Sequence, residues 1–178
     1  MDSNQVEQAL DAFEAHYDYD ATYMRHMNTH APATFEKFSV LSELVQMRQA
    51  APPNASYAAK LVGAMTEDCG PCVQLTVAMA QEGGVSAESI AAVLTRNVEA
   101  MDPETQLGYA FATAVVERAT TREVLREQVR ARWGDAGVVD LSIAVQIGRV
   151  FPMMKTALGF DLSCQRVSVG ERIIEMAR

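Results

Sequence analysis

Apolar residues recur three and four apart along almost the whole chain, and strand-type alternation is nearly absent. That spacing commits the chain to helices packed on helices, an all-α fold. Asn4 to Tyr17 carries Val6, Ala9, Leu10 and Phe13 as one stripe. Asp20 is placed to cap a second helix through Met27, with residues 28–31 as a connector. Pro32 suits a helix start, and Phe35, Phe38, Val40, Leu41, Leu44, Val45 and Met47 follow it. Ala51-Pro52-Pro53-Asn54 is a break, with Asn54 as the cap of a helix over 55–66.

Cys69 and Cys72 stand at the start of the next helix, whose apolar run ends at Gly83-Gly84, where glycine can take a positive φ. Ser86 caps a helix through Ile90, Val93 and Leu94, and Asp102-Pro103-Glu104 starts another bearing Leu107, Ala110, Phe111, Ala114 and Val115. Thr120 or Thr121 begins a helix that turns Val124, Leu125 and Val129 inward, presents an ion-paired face over Arg122 to Arg132 and stops at Gly134. Val138 to Leu158 is apolar on nearly every side, which predicts a central buried helix kinked at Pro152. Glu171 to Ala177 reads as a last short helix.

A length of 178 residues with 49% hydrophobic content suffices for one substantial core, hence a single domain. It divides into N-terminal helices (1–50), a core with the thiol pair (54–160) and a tail (161–178). The formal charge of −8 argues against nucleic acid or an anionic membrane as partner. No apolar run approaches membrane-spanning length, and the amino terminus lacks the basic start and apolar centre of a secretory signal. Three cysteines, two of them in C-x-x-C, fit a cytoplasmic chain better than a disulfide framework.

Residues three apart share a helix face, so the sulfurs of Cys69 and Cys72 can meet. The helix N-terminus favours thiolate and lowers a thiol's pKa. Position alone leaves open which sulfur attacks: Cys69 lies at the helix start, and Cys72 lies within the first turn, where free N–H groups point. The tetrapeptide Cys-Gly-Pro-Cys also occurs in thioredoxin-type sites, where the first Cys attacks. Those sites need a preceding strand, and Ala58 to Thr66 reads as helix.

The ordered set of a helix running into C-x-x-C, a helix ending in glycine, Gly84-Val85-Ser86-Ala87-Glu88-Ser89-Ile90, Tyr109-Ala110-Phe111-Ala112 and the apolar helix Leu141 to Leu158 resembles the carboxymuconolactone decarboxylase/AhpD-like family over residues 35–160. The resemblance implies an all-helical subunit that assembles into dimers, trimers or hexamers, with the thiols near a subunit contact. It also implies a thiol peroxidase in which Cys72 attacks a small-molecule hydroperoxide, Cys69 resolves the sulfenic acid, and an external dithiol reduces the disulfide. No cofactor belongs to that chemistry.

Two positions depart from the family pattern. Thr76 stands where the redox branch has a histidine, and Ser56 and Tyr57 stand near the place of its glutamate. Thr76 can hydrogen-bond a sulfur but cannot serve as a base near neutral pH. Glu67 and Asp68 sit beside the pair, where one carboxylate could accept a proton, and their charge could equally raise the thiol pKa. Cys164 and the scattered His16, His26 and His30 lack paired metal-ligand spacing, so no metal is expected. His30 would replace the missing base if folding brought it against Cys72, and the Tyr57 hydroxyl could act as an acid. Met24, Met27, Met65, Met79, Met153 and Met154 read as core filler. Beside the redox reading stand a cofactor-free decarboxylase or lyase acting on a small carboxylic acid or lactone, and a non-catalytic helical oligomer that keeps the thiols as a latch.

Overall fold

The computed structural model describes residues 3–160 and 166–177, which form eight α-helices and one two-stranded hairpin. The helices are α1 (Ser3–Tyr17), α2 (Thr22–His30), α3 (Pro32–Ser39), α4 (Pro53–Thr66), α5 (Gly70–Glu82), α6 (Ala87–Leu94), α7 (Pro103–Val116) and α8 (Arg122–Ala157). Short 3₁₀ segments cover Val40–Val45 and Val98–Ala100. The hairpin consists of β1 (Arg166–Val169) and β2 (Arg172–Glu175). Cys164 lies outside the described residues.

The central helix is α4, not the stretch after Val138. Every residue from Ala55 to Ala64 is buried, because this helix is built of small side chains that let neighbours approach its backbone. At Gly108 of α7 an added Cβ would overlap the Ala55 carbonyl, and at Gly148 of α8 it would overlap the Lys60 carbonyl. The two glycines thus set how closely α7 and α8 lie on α4. Helix α8 is amphipathic: Leu141, Ala144, Val145 and Gly148 face inward, whereas Val139 is 61% and Met153 50% exposed. Val124 also faces out, because inward-facing Leu125 and Val129 already occupy that turn's buried side. Helical angles continue through Pro152 and break at Gly134 (φ 68°), after which the helix resumes at once. By length and composition α8 could cross a bilayer, contrary to the sequence expectation, with a mean hydropathy of 1.3 over its most apolar window. A core helix meets the same criterion, and α8 packs against both α4 and α7.

Other differences have local causes. Helix α2 runs on to His30, leaving Ala31 alone as its link to α3, and Asp20 bonds Thr22 rather than capping from the N-cap position. The long helix after Pro32 tightens into 3₁₀ geometry at Val40. Asn54 lies inside the first turn of α4 and donates to Asp102 Oδ2 at 3.1 Å, with Pro52 at the N-cap. The expected C-terminal helix is a strand. Val167 and Val169 alternate with polar neighbours, and Gly170, at φ 58°, opens a two-residue turn. The Gln74 side-chain amide pairs with both the N–H and C=O of Ser168, extending the hairpin edge onto α5.

Two carboxylates organise the junctions. Asp140 accepts the N–H groups of Gln49, Ala50 and Ala51 at 2.9, 2.7 and 2.9 Å, which pins the segment leading into α4. Asp102 caps α7 through Glu104 and Thr105 N–H and also accepts from Asn54, Ser89 and Thr105 side chains, tying α4, α6 and α7 together. Burial would raise the Asp102 pKa, but these hydrogen bonds outweigh it and hold the carboxyl down at about 2. Because its folded pKa is depressed, this contribution is complete above pH ~4, lost as pH falls towards ~2, and worth about 2 kcal/mol. Asp102→Ala is therefore expected to cost about 2–4 kcal/mol at pH 7, measured by urea unfolding. A loss below about 0.5 kcal/mol would rule out this account of the junction.

A thiol-lined cavity as candidate functional site

Helix α4 ends at Thr66, and Glu67 and Asp68 carry the chain round a corner, Asp68 with φ 50°. Cys69 is then the N-cap of α5, and Cys72 is the third residue of its first turn. Pro71 fits that turn because its absent N–H leaves no helical bond unmade. The two cysteines are joined as a disulfide with Cα atoms 5.3 Å apart.

The two sulfurs have different surroundings. Cys69 has no exposed surface and lies inside the fold. Cys72 is 4% exposed and borders a cavity of about 810 Å³ lined by α1, α2, α3, the 3₁₀ segment, α4, α5 and α8 and partly open to solvent. Most of its wall is apolar, including Leu10, Phe13, Phe35, Leu75, Met79 and Phe151. Met24 and Met79 are therefore cavity wall rather than filler.

A tyrosine stands beside the sulfur. Tyr19 Oη lies 3.7 Å from Cys72 Sγ, and in the disulfide only the hydroxyl has a hydrogen to donate. Burial pushes the Tyr19 pKa up to about 12, so the group remains a proton donor through the neutral range. The aliphatic and ammonium end of Lys155 lies over its ring, with Nζ 4.7 Å from the ring centre, and Nζ donates to the Asp20 carbonyl at 3.3 Å. Burial lowers the Lys155 pKa, and Asp20 opposes that shift. Tyr23 lies near enough to Tyr19 for each to affect the other's ionisation. The geometry between them nevertheless falls short of a hydrogen bond, and Tyr23 Oη has no partner.

Lys60 also borders the cavity and is 3% exposed. Its Nζ donates to the Val45 carbonyl and sits 4.2 Å from the centre of the Tyr57 ring. Burial, and secondarily the charge of Arg48, push its pKa down to about 8.

The residues singled out from the sequence separate here. Cys72 and Thr76 border the cavity, and Cys69 lies behind Cys72. The Thr76 hydroxyl donates to the Cys72 carbonyl oxygen at 2.9 Å rather than to a sulfur. Glu67 is held by Arg149 at 2.6 Å and is not part of the cavity wall, so its charge is largely answered by the guanidinium. Tyr57 does border the cavity, with its hydroxyl end against Gly83. Among the histidines, His16 pairs with Glu82 at 2.7 Å, and His26 and His30 stack on each other with ring centres 4.4 Å apart. None of the three borders the cavity. Among the described residues no cluster of three or more histidine, cysteine or carboxylate groups is placed to hold a metal.

Tyr19, Lys60 and Lys155 escaped the sequence reading. Tyr19 sits in the link between α1 and α2, 53 residues from Cys72, and nothing in the linear order joins them. Lys60 did leave a signal: it is the one charged residue in the buried run Ala55 to Ala64, and lysine is rarely buried without a partner. Comparison with family models, with curated proteins and with solved structures finds no match to this chain.

Proposed function

We propose that the chain is a thiol–disulfide redox protein of the carboxymuconolactone decarboxylase/AhpD type, reducing a hydroperoxide at Cys72. The observation that carries this reading is the asymmetry of the pair: Cys72 borders a large apolar cavity with a hydroxyl donor 3.7 Å away, and Cys69 lies sealed behind it within bonding reach.

In the reduced protein, Cys72 thiolate attacks the terminal oxygen of ROOH. The O–O bond breaks, and the departing alkoxide takes a proton to leave as ROH, with Cys72 now a sulfenic acid. Cys69 thiolate attacks the Cys72 sulfur, forming the disulfide and releasing hydroxide, which is protonated to water. A dithiol then attacks the disulfide, is itself oxidised and returns both cysteines to thiols. Tyr19 supplies the hydrogen bond that stabilises Cys72 thiolate, in a site where Thr76 faces the backbone and no histidine is present. The helix N-terminus adds its partial positive charge at the same place. The reaction needs no bound cofactor. Assembly into a homo-oligomer belongs to the same proposal.

The test is to trap the intermediate. In Cys69→Ser the sulfenic acid on Cys72 has no resolving partner, so one equivalent of cumene hydroperoxide should add about 16 Da, and a dimedone adduct should map to Cys72. Under the same treatment the reduced parent should lose its two titratable thiols of the pair. No adduct on Cys72, with both thiols of the parent retained, sinks the proposal.

A further inference from the structure

We propose that the cavity binds an amphipathic monocarboxylate, its carboxylate against Lys60 and its hydrocarbon tail along Phe35, Leu75, Met79 and Phe151, in the space that Cys72 borders. This deepens the redox reading, since it names the class of molecule on which the hydroperoxide would be carried. The binding step itself does not depend on turnover.

Lys60 is a cation set in an apolar wall without a counter-ion. An ammonium has three N–H donors. One goes to the Val45 carbonyl, and the Tyr57 ring face, 4.2 Å away, provides weak compensation for another. Among the described residues no carboxylate pairs with it, and the charge that acts on it, Arg48, has the same sign. Burial disfavours the charged form, so an anion arriving at Nζ gains an ion pair in a low-dielectric setting and stabilises the ammonium.

The other buried lysine shows the contrast. Lys155 does not border the cavity and has Asp20 favouring its charge, whereas Lys60 borders open space. The acidic residues of the wall, Glu36 and Glu43, are solvent-exposed, and Glu36 lies 3.7 Å from Lys37. Solvent and salt screen those carboxylates, so the buried cation sets the preference for an anion.

The rest of the wall specifies the tail. A volume of about 810 Å³ lies within the usual range for small-molecule sites, and the lining is mainly aliphatic and aromatic. Affinity in such a space should rise roughly fourfold with each added methylene until the tail fills it. A short dicarboxylic acid would instead leave its second charge against hydrocarbon.

Isothermal titration calorimetry on the intact disulfide form at pH 7 tests this, with decanoate and 1-decanol as probes. Decanoate should bind about tenfold or more tightly than 1-decanol, and Lys60→Met should remove that preference by weakening decanoate alone. Equal affinity of the two probes for the parent overturns the proposal, and that comparison needs no variant. A folded Lys60→Met, or Lys60→Gln if the first does not fold, that keeps the preference also overturns it. Both readouts are independent of peroxide: a protein that binds decanoate but leaves hydroperoxide untouched overturns the redox reading and leaves this one standing.

Discussion

Cys72→Ser is expected to abolish hydroperoxide consumption, with a rate about a thousandfold or more below that of the parent in a coupled assay with a dithiol reductant. A serine hydroxyl at this site is far too weakly acidic to supply the anion that attacks an O–O bond. Cys69 cannot take over, because it has no exposed surface and does not border the cavity. The same argument assigns a smaller effect to Tyr19. Tyr19→Phe keeps the ring and the Lys155 contact but removes the hydroxyl that hydrogen-bonds Cys72 Sγ. The rate should fall about tenfold, and the pKa of the Cys72 thiol should rise. A Cys72→Ser protein as active as the parent would remove the mechanism. A Tyr19→Phe protein with unchanged thiol pKa and rate would remove only the tyrosine from it.

The largest expected loss of stability is at Gly148. An added Cβ there would overlap the Lys60 carbonyl oxygen and come within 3.1 Å of Lys60 Cα. Backbone cannot rotate aside as a side chain can, so α8 would have to move off α4 along the contact that carries the core. Gly148→Leu is expected to cost about 3–5 kcal/mol, read as a fall in the midpoint of urea unfolding. Gly134→Ala is a control for glycine replacement without a close contact. Nothing lies within 4 Å of its added Cβ, and the cost is limited to the positive φ of 68°, about 1 kcal/mol. If Gly148→Leu unfolds at the parent's midpoint, the close approach of the two helices does not control stability.

Helices with strong local punctuation were legible in the sequence. Ser86 and Asp102 cap where their side chains allow, and Gly83-Gly84 ends α5. The errors fell where tertiary context decides. Hydrophobicity singled out Val138 to Leu158 as central, yet packing favours the small residues of α4, since closeness of approach buries a helix as effectively as apolar bulk. The β1–β2 hairpin was missed because its strands are four residues each, too short for periodicity to distinguish from a helical turn. The thiol pair was readable because its spacing is local. Its surroundings were not: Tyr19 and Lys60 reach the cavity from α1–α2 and α4, and only the folded chain brings those elements to Cys72.

Only one of the paired sulfurs borders open space, and this governs how a catalytic cycle at the pair must be ordered. On the proposed redox reading, an electron donor would meet Cys72 first, the transient mixed disulfide would form there, and Cys69 would depart as the leaving group. Oxidising and reducing molecules would therefore approach Cys72 through the same cavity and compete for it. On that reading a surplus of either reactant would delay the other's turn.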